Sequence, residues 1–168
     1  LPVELDVTDA ESVARAVRVG EEELGAITIL VNNAGVPPRA LTLDMDEEEW
    51  DRVVGTNLKG AWLVAREVGR HMVDHGRGGR IVNIASVLGW KTVAKRIQSY
   101  GVSKAGLVSM TETMALELAR RGISIDGCVE KRELVHLLQD DILNDKELSI
   151  GTGCLSDGDV VDGWKMEI

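Results

Sequence analysis

From residue 3 to about residue 127 the chain alternates short apolar runs of strand length with amphipathic helical stretches, and this constrains the fold more than any other feature. Strands separated by helices cannot pair as hairpins; they join by crossovers, which are right-handed and build a parallel sheet. Val3-Glu4-Leu5-Asp6-Val7 alternates apolar and polar residues and predicts a short strand. Thr8 to Glu11 fits a capping box with Thr8 as N-cap, and Val13, Val17 and Leu24 stripe the helix that follows, up to Gly25. Ala26 to Val31 is continuously apolar, as expected of a strand buried on both faces. Asp46 with Glu49 opens a long helix to His75, its apolar side marked by Trp50, Val53, Leu58, Ala61, Val68 and Met72. Arg80 to Ser86 reads as a third strand, Tyr100 to Arg121 as a helix ending at Gly122, and Ile123-Ser124-Ile125 as the start of a fourth strand. Leu134, Leu138 and Ile142 suggest a helix over Glu130 to Leu143, while Gly151 to Ile168 carries no clear pattern. The expected fold is α/β, a doubly wound parallel sheet with helices on both faces.

Composition narrows the function. At 168 residues one domain is expected, and a net charge of −9 disfavours nucleic acid, whose phosphates would be repelled. There is neither a basic amphipathic stripe for an anionic membrane surface nor an apolar run of about 18 residues, so no membrane association is expected. Cys128 and Cys154 have no metal or redox spacing, and without an export signal they read as reduced thiols of a cytoplasmic protein. The start at Leu1, without an initiator Met, implies an upstream segment.

Polar residues gather where the strands end, the face at which parallel sheets bind ligands. Asp6-Val7 ends the first strand, Asn32-Asn33-Ala34-Gly35 the second, and Asn83-Ile84-Ala85-Ser86 the third. Tyr100 and Lys104, four residues apart, share one helix face. A phenol titrates near ~10 and is a poor acid or base at neutral pH, but an adjacent ammonium favours the phenolate. Tyr100 could then exchange a proton with an alcohol or carbonyl oxygen while hydride moves at carbon, with Ser86 holding that oxygen.

Asn32-Asn33-Ala34-Gly35, Asn57, Ser86 and the Tyr100-x-x-x-Lys104 pair, in this order, resemble the short-chain dehydrogenase/reductase family over about residues 3 to 125. The resemblance implies a Rossmann-like fold and an NAD- or NADP-dependent oxidoreductase that interconverts a secondary alcohol and a ketone. It implies that Tyr100 is the acid/base, that Lys104 supports it and binds the nicotinamide ribose, that Ser86 orients substrate, and that Asn57 anchors a water in a proton relay. Asp6 and Val7 would lie near the adenine and Asn33 beside the adenosine side, with Ala34, Gly35, Tyr100 and Lys104 also binding the cofactor. The helices over 46–75 and 100–121 would build a homo-oligomer. Each residue alone also has a structural reading: Asn57 as a satisfied core amide, Ser86 as a strand end, Asp6 as a helix cap.

The chain departs from the family at both ends. The glycine-rich phosphate turn and the first strand–helix–strand unit are missing, so the choice between NAD and NADP is unreadable and the first strand here would float, pair directly with the second, or leave an exposed edge. After Ile125 the chain reads Asp126-Gly127-Cys128, which separates a partial Rossmann-like core at 1–127 from a divergent tail at 128–168. The loop bearing Lys91, Lys95 and Arg96 is placed to contact substrate, and Trp90 and Trp164 read as structural. No metal is expected: His71 and His75 are four apart, but Asp74 does not supply the Glu of a zinc-protease motif, and they read as solvated. Asp157, Asp159 and Asp162 miss calcium-loop spacing. The rival reading is an inactive relative that acts by binding or dimerisation.

Overall fold

The computed structural model describes residues 1–91, 95–128 and 149–152. The expected helix over Glu130 to Leu143, the Asp157–Asp162 stretch, Trp164 and most of the tail lie outside the described residues. Four strands, β1 (Ile29–Asn32), β2 (Gly79–Ile84), β3 (Ile123–Cys128) and β4 (Ser149–Thr152), form one sheet in the order β3-β2-β1-β4. All three pairings are parallel, with Leu30 beside Ile81 and Ile81 beside Ile125. Helices α1 (Ala10–Leu24), α2 (Glu47–Val54), α3 (Ala61–His75) and α4 (Gln98–Leu118) join this sheet in an incomplete Rossmann-like α/β fold.

Alternation along each strand sorts the core into two sets. Leu30, Ile81, Ile123 and Ile125 face Val13 and Val17 of α1 and Leu63, Val64, Val68 and Met72 of α3, with Met114 and Leu118 of α4 packed against them. Ile29, Val82 and Cys128 are buried on the opposite face of the sheet. At β1 both faces of the sheet are therefore covered by apolar groups, the reason the stretch leading into it is apolar almost throughout.

Two expectations near the start are corrected. Val3–Val7 forms no strand; only Val7 is fully buried there, and Asp6 turns the chain by accepting from Thr8 N at 2.8 Å and Thr8 Oγ1 at 2.7 Å. Because the Thr8 hydroxyl is spent on Asp6, the N-cap of α1 falls one residue later. Asp9 accepts from Glu11 N at 3.0 Å and Ser12 N at 3.3 Å. The edge of β1 is not left open by the missing strand, since β4 pairs along it from Ile29↔Ser149 to Asn32↔Thr152. A parallel partner from the tail satisfies backbone groups that would otherwise invite association.

The long helix begins as expected, with Asp46 accepting from Glu49 N at 2.8 Å. It does not run uniformly to His75. A π-helical turn, Gly55–Gly60, joins α2 to α3 and carries Asn57 in its middle. Such turns insert a residue and re-aim one side chain inward. His71 and His75 are not simply solvated either: both meet Glu21 of α1 and tie α1 to α3. Burial works to raise the Glu21 carboxyl, but the hydrogen bonds and charge of His75 and His71 outweigh it and hold it below its ordinary value.

Candidate active site

The carboxyl ends of β1 and β2 open on a cleft of about 400 Å³ lined by Asn33, Gly35, Val36, Ile84, Ala85, Leu88, Tyr100 and Lys104, among others. Its floor is Lys104. That side chain is only 4% exposed, and its ammonium donates to the Ile84 carbonyl at 2.5 Å. Burial pushes the Lys104 ammonium down from 10.5 to about 8. The ammonium lies 5.7 Å from the centre of the Tyr100 ring, so the i, i+4 spacing does place the pair side by side. Tyr100 is half-buried at the first turn of α4, and Ile97, just before that helix, also lines the cleft.

Asn57 is fully buried beneath the cleft, and its amide is matched atom for atom. Val36 N donates to Asn57 Oδ1 at 2.7 Å, and Asn57 Nδ2 donates to Val36 O at 3.0 Å and to Ser103 Oγ at 3.2 Å. Ser103 Oγ in turn donates to the Tyr100 carbonyl at 2.7 Å. Asn57 thus links the loop after β1 to the turn of α4 that carries Tyr100. Gly35 occupies the space between. A Cβ there would stand 3.3 Å from Asn57 Oδ1 and 3.8 Å from Lys104 Nζ, so a side chain would crowd the Asn57 amide and narrow the floor. Gly89 serves the opposite wall: a Cβ would meet the α4 backbone at Lys104 and Ala105 within 3.0 Å, and its absence lets the turn after β2 rest on that helix.

The remaining candidates are not all gathered here. Ser86 follows β2, and its hydroxyl accepts from Leu88 N at 3.2 Å, capping a short 3-10 turn, Val87–Gly89; its neighbours Ala85 and Leu88 line the cleft. Asn33 is an exposed part of the lining, whereas Ala34 turns toward the core. Asp6 and Val7 are not among the lining residues: Val7 packs in the core against Gly60, and the exposed Asp6 carboxyl is held below its usual value by hydrogen bonds from Thr8. Trp90 is 64% exposed, away from the lining, and Lys95 and Arg96 are exposed, Arg96 with φ of 62°.

Sequence reasoning missed a buried polar chain behind the site. Asn32 Nδ2 donates to Ala61 O at 3.1 Å and Asn83 Oδ1 at 2.9 Å; Asn83 Nδ2 donates to Thr111 Oγ1 at 2.9 Å, and Thr111 Oγ1 to Leu107 O at 2.7 Å. This chain fixes β1, β2, α3 and α4 against one another at the ends that carry the cleft. The one sequence signal was the presence of amides at equivalent ends of two buried strands, and in the structure Asn32 does pair beside Asn83.

A parallel sheet with a polar cleft at the carboxyl ends of its strands is the arrangement of an α/β ligand-binding domain. A sequence profile of the family described as short chain dehydrogenase matches residues 1–130. The 3-oxoacyl-[acyl-carrier-protein] reductase FabG of Vibrio harveyi is 37% identical over 141 residues, covering 82% of this chain and 57% of that protein. The galactitol 2-dehydrogenase of Agrobacterium fabrum is 39% identical over 125 residues, covering 74% of this chain and 48% of the relative. A short-chain type dehydrogenase/reductase from Mycobacterium marinum, known as a crystal structure, superposes with a TM-score of 0.75 at 38% identity, covering 83% of this chain and 57% of that one. The chain belongs to the short-chain dehydrogenase family, and it spans about half the length of the curated relatives it matches.

Proposed function

We propose that this chain carries the proton-transfer half of an NAD- or NADP-dependent oxidoreductase acting on a secondary alcohol or ketone. The observation that carries the reading is the buried Lys104 ammonium beneath Tyr100 at the mouth of a cleft. The residues fit a nicotinamide nucleoside: Gly35 leaves a cradle that a Cβ would fill, and Lys104 and Asn33 supply polar groups around it. When bound there, the nicotinamide supplies or accepts the hydride. In ketone reduction Tyr100 gives its hydroxyl proton to the carbonyl oxygen, and the Lys104 charge favours the phenolate left behind. In alcohol oxidation the phenolate takes the hydroxyl proton. Ser86 holds the reacting oxygen by donating its hydroxyl proton while Oγ goes on accepting from Leu88 N, and Asn57 keeps the loop and the Tyr100 turn in register. Asp6 and Val7 are assigned to the adenine end.

Relatives named as reductases and sugar-alcohol dehydrogenases support the reaction class. Pairing of two copies through α3 and α4 is part of the same proposal. Trp62, Val102 and Leu116 expose 40%, 47% and 83% of their surface on those helices, apolar area that a second copy would cover. No helix among the described residues is long and apolar enough to cross a membrane.

The test is turnover of NADH or NADPH by the purified chain over a panel of ketones and secondary alcohols, with Tyr100→Phe as the variant. A loss of about 10²–10⁴-fold in kcat with cofactor affinity retained is expected of a general acid/base. Unchanged turnover in Tyr100→Phe refutes the assignment.

A further inference from the structure

Away from the cleft, three metal-ligating side chains converge where α1 packs on α3. His71 and His75 stand one helical turn apart on α3, the i, i+4 spacing that sets two imidazoles on one face. Glu21 of α1 reaches between them, with Oε2 2.6 Å from His71 Nδ1 and Oε1 2.8 Å from His75 Nε2. One ligand atom from each residue lies within 4.8 Å of the other two. The Glu21 side chain is 15% exposed, and the imidazoles are 31% and 39% exposed, so the cluster is anchored on its carboxylate side and open to solvent on the other.

We propose that Glu21, His71 and His75 form a binding site for one divalent transition-metal ion of the zinc class. Two neutral imidazoles and a carboxylate are a borderline donor set suited to zinc; magnesium and calcium prefer oxygen donors, and calcium takes six or more of them. Three protein ligands on a tetrahedral ion leave one position for water. With metal–ligand bonds of about 2.0 Å, the edges of such a tetrahedron are about 3.3 Å. Whichever Glu21 oxygen ligates, its present contact, 2.6 Å for Oε2 with His71 or 2.8 Å for Oε1 with His75, opens by about 0.5–0.7 Å as the ion replaces the shared proton, and the other imidazole turns toward that same oxygen. Two half-exposed imidazoles can make that adjustment by small rotations.

His71 has a further partner of the kind metal-bound imidazoles use. Its other ring nitrogen, Nε2, faces Glu67 Oε1 at 3.8 Å, and a small ring movement makes this a hydrogen bond that orients the ring and strengthens its ligating nitrogen. The site eluded local motif reading because its third ligand comes from another helix, fifty residues away from His71 along the chain. A bound ion would staple α1 to α3 and so hold the chain segment that leads from Asp6 and Val7.

The experiment is calorimetric titration of the untagged, chelator-stripped chain with zinc chloride, paired with thermal unfolding and with cobalt(II) absorption as a readout of tetrahedral nitrogen–oxygen ligation. Wild type is expected to bind one equivalent of zinc and to unfold at a higher temperature with it, while magnesium chloride leaves Tm unchanged. His71→Ala/His75→Ala, checked for folding by circular dichroism, is expected to lose the binding and the Tm shift. Glu67→Gln should weaken binding by about 10–100-fold. No binding by folded wild type, or binding undiminished in His71→Ala/His75→Ala, overturns the proposal.

Discussion

Replacing Lys104 with Met removes a charge that the fold holds at a measurable cost. Burial lowers its ammonium from 10.5 to about 8, a displacement that corresponds to about 3 kcal/mol favouring the neutral form in the folded chain. The unfolded chain keeps its proton until pH passes 10.5, whereas the folded chain releases it from about 8. Between those values the unfolded state binds more protons, so this group makes wild-type stability rise with pH. Its contribution is fully present above 10.5 and is lost as pH falls through about 8. Met carries no such cost, but it strands the Ile84 carbonyl, a loss of about 1–3 kcal/mol. Because the neutral amine can also donate to that carbonyl, this second effect is nearly independent of pH. It moves the whole stability curve without tilting it. Urea unfolding of wild type and Lys104→Met at half-unit steps from pH 7 to 10.5 separates the two effects. At pH 7 the variant is expected to be as stable as wild type or more so, by up to about 2 kcal/mol. The balance then shifts toward wild type by about 3 kcal/mol across the range. Groups remote from Lys104 cancel in the difference between the two proteins, and a Tyr100→Phe background in both removes the phenol that the Lys104 charge biases. A difference that stays flat with pH would refute the claim that Lys104 is held charged in a desolvating floor.

Two further substitutions probe the surroundings of that floor. Asn57→Ala leaves both Val36 backbone groups without their side-chain partner and opens a fully buried space, so a loss of about 2–4 kcal/mol in chemical denaturation is expected, with faster hydrogen exchange at the Val36 amide. Ser99→Ala should be neutral or stabilising by about 1 kcal/mol, because Ser99 Oγ is buried without a partner among the described residues; a clear loss of stability would show that the hydroxyl is engaged.

What was legible in the sequence follows from how local each cause is. The Tyr100–Lys104 pair could be placed from spacing because a helix fixes i and i+4 on one face whatever surrounds it, and β1 could be read because both of its faces are buried. Val3–Val7 misled because alternation describes a strand only when a neighbour is there to pair, and here only Val7 is fully buried. The shift of the α1 cap from Thr8 to Asp9 turned on a single competing hydrogen bond to Asp6. Ser149–Thr152 is four residues with a glycine among them and no strand signal of its own; the unpaired edge of β1 is what recruits it. Asn57 drew notice for its place on an apolar helix face, but the π-helical turn that aims it and the Val36 clamp that matches its amide arise only on folding. The same holds for Asn32–Asn83–Thr111, whose partners lie 51 and 28 residues apart.

The most direct test of the cleft as a nicotinamide site is a fluorescence titration of the folded chain with NADH and then NADPH, run beside Gly35→Val. Valine crowds the cradle: its Cβ alone stands about 3.3 Å from Asn57 Oδ1 and 3.8 Å from Lys104 Nζ. The expected result is saturable binding of one or both nucleotides by wild type, weakened at least tenfold in a Gly35→Val protein that circular dichroism shows to be folded. Absence of binding by folded wild type, or equal binding by the two proteins, would contradict the assignment of this cleft.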